Sequence, residues 1–484
     1  MKNIINKSKI GTFFIAFFLL WSCDDFLDEQ VFTQYDPESF LQTESGINSV
    51  LNAAYSQMKL STGQRERMYT FNEFTGDIMW IWGGGFEAIA EVFMSYSWDP
   101  STPQLRGPWQ QYYQGIRNAN SLLDNIDKVT VLSDARVIAL TSEAKFIRAA
   151  CYVYLWELFG PVPLIITASD LNLEPSRATQ QEFDSFIIEE LQSAANGLPV
   201  TQNQWGKATK GAALALLGKY YMNTHQWQQA ADMYKQVMDL NQYELFSGDV
   251  AYQFAVENEE NDEVILTSPG LTNLHGNNYM AHAFPPSYPI QSNWQNYGAQ
   301  YCVFNNWVLT YHTDDERLGW FLFEYTDVNG VYQDLLDPNS SGRAVRCFKY
   351  VPDPDGMSHS HGNDIPMIRY AEVLLYRAEA LNELNGPNQE SVDLINLIRE
   401  RAGVPLYDIS DFADKEIFRD AILDELGWEF VAEGKRRLDL IRHGKLISRA
   451  NQRGASNASD HMIRFPIPLD EINTNPQLEQ NPGY

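Results

Sequence analysis

Apolar residues recur at helical spacing through most of this chain, and the exceptions are confined to two long stretches. In 37–59, Phe40, Leu41, Ile47, Val50, Leu51, Ala54 and Tyr55 fall near a 3.6-residue period and predict a helix. The same period predicts helices over 105–128, with Trp109, Tyr112, Tyr113, Ile116, Ala119, Leu122, Leu123 and Ile126 on one face, and over 137–159, where Gly160-Pro161 stops the pattern. A further helix is expected over 180–195, ended by Gly197 and Pro199. Trp109, Tyr113 and Trp428 sit inside such helical patterns and are expected in the core.

The stretch 207–240 reads as a helix pair of tetratricopeptide-repeat type. Leu214, Leu217, Gly218, Tyr221, Trp227, Ala230 and Tyr234 stand at the offsets that repeat requires. Small Gly218 and Ala230 let the two helices approach, and the aromatics fill the space between layers. A weaker copy runs through 370–400 (Leu374, Ala378, Leu381, Leu394, Ile395, Ile398), and 143–155 resembles the first helix of another. The separations are irregular, so the expectation is a mainly α scaffold with insertions and not a regular solenoid. Helix pairs of this type leave a concave face that commonly docks a partner.

The two insertions, 61–104 and 265–364, are rich in Gly, Asn, Pro, Ser and aromatics and lack strong periodicity. Short strands are expected near 264–267 and 344–350, and Gly83-Gly84-Gly85 reads as a flexible loop. Loops of this length on a rigid scaffold usually carry function.

Composition narrows the function. Of the 484 residues, 44% are hydrophobic and 20% charged, an ordinary globular balance; 12 Trp and 25 Tyr bring aromatics to 13%. The formal charge is −28, and removal of residues 1–22 with Lys2, Lys7 and Lys9 leaves −31. Such a surface repels nucleic acid. At the N-terminus, three lysines precede the ten-residue apolar run 12–21, too short to span a bilayer and suited to a signal peptide. Leu20-Trp21-Ser22-Cys23 looks like a bacterial lipobox with Cys23 as the acylated residue, and Asp24, Asp25, Asp28 and Glu29 follow in an acidic tether, 23–35. Cys151 reads as a buried small hydrophobe; a Cys302–Cys347 disulfide stays open, because nothing in the spacing supports it.

Catalytic signatures are absent: there is no H-E-x-x-H, G-x-S-x-G or G-x-x-x-x-G-K-[ST]. His359 and His361 near Asp353, Asp355 and Asp364 form the nearest approach to a metal cluster, in a Pro- and Gly-marked loop. No cofactor is expected; a structural calcium on the oxygens of Asp353 and Asp355 is conceivable without support. The spacing of four puts Glu425, Glu429 and Glu433 on one helical face, with Arg436, Arg437 and Asp439 close behind; this fits either a catalytic set or an ion network holding the last helix to the body.

Stacking chemistry is more promising. A sugar ring has an apolar C–H face that packs on an aromatic ring, and hydroxyls that need amides, acids or Arg at the rim. Two loop clusters offer this. One is Trp80 and Trp82 beside Gly83–Gly85, with Asn72, Glu73 and Asp77 upstream. The other is Tyr288, Trp294, Tyr297, Tyr301 and Trp307, interleaved with Asn293, Gln295, Asn296, Gln300, Asn305 and Asn306. The candidate ligand-binding residues are Trp80, Trp82, Trp294, Tyr297 and Tyr301.

The C-terminal sixty residues carry a resemblance. The segment 425–445, ELGWEFVAEGKRRLDLIRHGK, and the tail 465–484, FPIPLDEINTNPQLEQNPGY, resemble the C-terminal signature of the SusD/RagB family. Glu425, Trp428, Glu429, Glu433, Gly434, Arg436, Arg437, Asp439, Arg442, Pro466, Pro468, Asn475, Pro476, Asn481, Pro482 and Tyr484 are among the matching positions. The resemblance implies a SusD-like helical fold over 36–484, with repeat-like pairs about 105–240 and 370–445, and for Glu425, Glu429 and Glu433 it implies the architectural ion network. It implies a non-catalytic lipoprotein anchored through Cys23 in the outer membrane and facing outward. Such a protein holds an oligosaccharide for a SusC-like TonB-dependent transporter. The RagB branch keeps open a peptide ligand in place of the glycan, and paired carboxylates keep open a lipid-anchored glycoside hydrolase. The Pro-rich tail is expected as an extended strap packed on the surface.

Overall fold

A computed structural model describes residues 37–59, 68–272, 274, 276–298 and 300–484. Cys23, the signal segment and the acidic tether lie outside the described residues.

The periodic stretches fold as helices, and one further helix, Gly84–Met94, forms inside the first insertion, where none is expected from the sequence. They are α1 (Glu44–Met58), α2 (Gly84–Met94), α3 (Arg106–Leu123), α4 (Asp134–Phe159), α5 (Gln180–Gly197), α6 (Lys210–Asn223), α7 (Trp227–Asp239), α8 (Tyr370–Asn385), α9 (Gln389–Arg401), α10 (Lys415–Phe430) and α11 (Arg436–Arg442). Polar side chains fix their starts: Thr43 caps α1, Ser133 caps α4, and Thr179 with Glu182 forms a capping box on α5.

Apart from α2, each helix through α8 packs on the next in sequence, and α10 packs on α8. The order survives the long insertion, because α7 lies directly against α8 although 240–369 intervene. The pair α6–α7 shows why small residues were needed. A Cβ on Gly218 would stand 2.8 Å from the Tyr234 ring, so a larger side chain would push the helices apart.

The insertions build a second, smaller core of their own around Tyr69, Phe74, Ile78, Met79, Tyr279, Phe284, Tyr301, Trp320 and Tyr350. Its strands are few and short. β1 (Met79–Ile81) pairs antiparallel with β3 (Tyr301–Val303), β2 (Val264–Ser268) with β8 (Ile365–Arg369), β4 (Phe321–Leu322) with β7 (Arg346–Cys347), and β5 (Glu324–Thr326) with β6 (Tyr332–Asp334). The strand expected near 264–267 is β2; that expected over 344–350 shrinks to the two residues of β7.

A buried ion network joins α10 to both layers. Arg317 meets Asp315, Glu425 and Glu429; Arg369 meets Glu263, Glu429 and Glu433; Arg399 meets Glu425; Arg401 meets Glu263 and Glu429; Lys349 meets Glu433. The glutamate series is therefore architectural, the role implied by the family resemblance, although α10 ends at Phe430 and Glu433 lies beyond it, so the three do not share one helical face. The tail reaches further inside than a surface strap, since Phe465 and Ile467 are fully buried in the helical core. Trp98 Nε1 donates to the Tyr484 hydroxyl at 2.8 Å, and that hydroxyl donates to the Arg464 carbonyl at 2.9 Å. Trp109 is in the core as expected, whereas Tyr113 and Trp428 are only half-buried at its edges. Cys151, Cys302 and Cys347 are buried free thiols.

Candidate functional site

The site begins with the period-2 geometry of β1. Met79 and Ile81 point into the second core, so Trp80, and Trp82 just beyond the strand, emerge on the opposite face. Both rings are half-buried. The Trp80 ring stacks on Phe304 with centroids 6.1 Å apart at 24°. The Arg343 guanidinium lies 3.8 Å above the centroid of Trp82. The two expected clusters, more than two hundred residues apart in sequence, meet here: Trp80 is the cross-strand partner of Cys302, and Trp82 N donates to Gln300 O at 2.9 Å.

The three glycines after Trp82 are not a flexible loop. Gly83 caps α2 at φ +78°, and α2 begins at Gly84, with φ +71°. A Cβ on Gly84 would stand 2.1 Å from the Gln300 amide nitrogen, so only glycine passes under this side chain. Gln300 is buried and hydrogen-bonds His282. The His282 ring stacks on Tyr301 (4.7 Å, 11°) and lies 4.8 Å from Tyr297 and 5.8 Å from Phe86 of α2.

The expected ligand residues thus separate. Trp80, Trp82 and Tyr297 are half-exposed, with Tyr297 also against His359. Tyr301 does not face solvent: it is 1% exposed and packs among Tyr69, Phe74 and Tyr279. Its strand position alternates with Cys302, and the sequence alone did not assign the inward side. Trp294 is intermediate; it stacks on Phe284 (5.7 Å, 10°) and meets His361 edge-on. Its indole N–H has no hydrogen-bond partner among the described residues. Tyr288 and Trp307 pack half-buried against Phe348 and Tyr311.

Most of the nearby polar groups maintain the framework. Asn293 donates to Gly356 O, Asn296 to Pro285 O and Asn305 to Leu335 O, which leaves Gln295 and Asn306 as exposed amides. Upstream, Asp77 is paired with Arg436. Glu73 is fully buried and accepts from Gly434 N at 2.6 Å; burial pushes its carboxyl up to about 8, against the opposing pull of that N–H and of Arg436.

The Asp353 loop is likewise self-contained. Asp353 accepts from Asp355 N, Gly362 N and the Thr272 hydroxyl, all at 2.9 Å, and His361 Nδ1 accepts from Asp353 N. Among the described residues, no group of three or more His, Cys, Asp or Glu is arranged to hold a metal ion. Larger recesses are lined by other residues. One groove of about 350 Å³ lies between 200–207 and 260–267; another of about 430 Å³ runs over Trp109 and Tyr113 beside Glu471.

The chemistry of the β1 face is that of a shallow aromatic platform. It offers flat apolar rings, a guanidinium and exposed amides, with no nucleophile–base pair. Its residues would accept a ligand by stacking and peripheral hydrogen bonds.

Similarity to known proteins agrees with this scaffold. Residues 324–484 match the SusD family, and residues 25–222 match a second family described as starch-binding and associating with the outer membrane. The chain is 26% identical to SusD-like protein P25 of Formosa agariphila, over 98% of this chain and all of that one. It is 26% identical to the starch-binding protein SusD of Bacteroides thetaiotaomicron, over 85% of this chain and 84% of that one. Among solved structures, a SusD homolog from Bacteroides thetaiotaomicron superposes with a TM-score of 0.81 at 21% identity, covering 93% and 99% of the two chains. A laminarin-binding SusD-like protein superposes at 0.76, with 24% identity, over 91% and 100%. With this mainly α architecture, the signature of α10 and α11, and matches at both ends of the chain, the protein belongs to the SusD/RagB family.

Proposed function

We propose that this protein is a non-catalytic glycan-binding protein of the outer membrane, and that it holds an oligosaccharide on the β1 face. The observation that carries the reading is the pair Trp80 and Trp82, half-exposed side by side while Met79 and Ile81 anchor the strand from beneath. Relatives named for starch binding and laminarin binding support the ligand class, and the family described as associating with the outer membrane supports the location.

In this reading Cys23 carries a lipid anchor, the acidic tether presents the domain to the exterior, and a SusC-like TonB-dependent transporter receives the ligand. Weak affinity suffices, because tethering raises the effective concentration of ligand at the pore. Trp80, Trp82 and Tyr297 face the ligand; Tyr301 supports them from the core.

Affinity electrophoresis of the full-length chain through gels carrying different polysaccharides, together with native mass spectrometry of the detergent-solubilised protein, tests the proposal. Retardation in at least one gel and a co-purifying oligosaccharide and transporter are expected. Co-purified peptides with no retardation would replace the glycan by a peptide ligand, and release of shortened sugars would make it a hydrolase.

A further inference from the structure

The cation parked on the platform has no acidic partner among the described residues. Arg343 is exposed, its guanidinium covers Trp82, and no Asp or Glu lies within salt-bridge distance of it among the described residues. Acids outnumber bases 63 to 35 in this chain, yet none of them sits against this guanidinium among the described residues.

The backbone holds this guanidinium in place. Arg343 adopts φ +72°, a left-handed conformation that costs a non-glycine residue free energy. The turn is fixed by Arg343 N donating to Ser340 O at 3.0 Å, and by Arg346 Nη2 donating to Gly342 O at 2.8 Å. Arg346 adds a second positive charge beneath the same face. It is fully buried, contacts Cys302 (the cross-strand partner of Trp80) and the Tyr301 carbonyl, and has no carboxylate partner among the described residues.

A guanidinium held over an indole by its central carbon keeps N–H groups to offer to a ligand, and their fork matches the two oxygens of a carboxylate or sulfate. Trp80 and Trp82 are two residues apart on extended backbone, about 7 Å. A sugar stacked on Trp80 therefore places a charged substituent within reach of Arg343. A neutral sugar would leave the guanidinium without an anion; an acidic one supplies it.

We infer that the β1 face selects anionic oligosaccharides, with Arg343 clamped on Trp82 as the residue that recognises a sugar carboxylate or sulfate ester. The inference rests on the reading of this face as the glycan site. Its test is calorimetric titration of the full-length chain with three oligosaccharides of one backbone: neutral, carboxylated and sulfated. These are measured at low and high salt for the wild type, Arg343→Gln, Arg343→Lys and Trp80→Ala.

The expected result is at least tenfold tighter binding of a charged form than of the neutral one, weakened by salt. In Arg343→Gln that preference collapses about tenfold, and in Arg343→Lys, which keeps the charge and loses the fork, it falls part of the way. The carboxylated and sulfated arms show which anion is read. Equal binding of neutral and charged forms, or an unchanged preference in Arg343→Gln, overturns the inference and leaves the glycan site standing if Trp80→Ala still weakens binding. Binding untouched by Trp80→Ala removes the site itself.

Discussion

Glu429 is the position where the ion network makes its strongest quantitative claim. The network contains five acids (Asp315, Glu263, Glu425, Glu429, Glu433) and five bases (Arg317, Lys349, Arg369, Arg399, Arg401), so it is charge-balanced. The Glu429 side chain is fully buried and meets Arg401 at 2.5 Å, Arg369 at 2.8 Å and Arg317 at 3.2 Å. Burial alone would raise its carboxyl; the three guanidiniums outweigh that and hold it far below the usual carboxylate range. Glu429→Gln keeps the shape but leaves one buried positive charge uncompensated, which costs about 3–5 kcal/mol. Because glutamine retains one acceptor oxygen, the low end applies, a shift of roughly a hundredfold in the unfolding equilibrium.

The assay is equilibrium denaturation followed by circular dichroism at neutral pH, beside Asp239→Asn. The latter breaks the exposed Lys235–Asp239 pair, whose side chains are 57% and 59% accessible, and should change stability by less than about 1 kcal/mol. Adding Arg401→Gln to Glu429→Gln restores the balance and should recover part of the loss. A depressed folded pKa means the stabilisation is complete above the unfolded value of 4.5 and is lost as pH falls below it. The gap between wild type and Glu429→Gln should therefore narrow on acidification. A Glu429→Gln protein within about 1 kcal/mol of wild type at pH 7 would refute the idea that α10 is held electrostatically.

Glu73 carries the opposite sign: its carboxyl is raised to about 8, so the folded state binds the extra proton between pH 4.5 and 8 and stability falls as pH rises through that window. Glu73→Gln should thus leave melting at pH 5 almost unchanged and raise the melting temperature at pH 9; equal effects at both would contradict the assignment. In the helix pair, Gly218→Val forces atoms against the Tyr234 ring and should destabilise by about 1–3 kcal/mol in thermal unfolding, whereas a neutral result would mean that α6 and α7 can separate at no cost.

Helices such as α1, α3 and α7 were legible because they carry an apolar face over several turns, α4 and α6 because they are apolar almost all round, and the wide spacing of the repeat-like copies was legible as insertion. The insertions were less so. Three-residue strands are too short to show a period, and β1 finds its partner more than two hundred residues away. Trp80 and Trp82 were readable as rings on a polar loop. That Tyr301 turns inward depends on the register Trp80↔Cys302, which no local pattern encodes. Gly83–Gly85 suggested flexibility, but Gly83 and Gly84 supply the backbone conformations that start a helix under Gln300. Arg343 stood out in no motif; it matters because the fold lays it across Trp82. The ion network was visible in outline from the family resemblance of the segment that carries Glu425, Glu429 and Glu433, while its partners Asp315, Arg317, Lys349 and Glu263 came from the insertion and its edge.

The most direct test of the central claim is calorimetric titration of the wild-type chain and a Trp80→Ala/Trp82→Ala variant with the oligosaccharide that the gels select. Loss of two stacking rings at the centre of the platform predicts binding at least tenfold weaker, with the variant's melting temperature close to that of the wild type. Unchanged affinity in the folded variant would contradict the assignment of the β1 face as the glycan site.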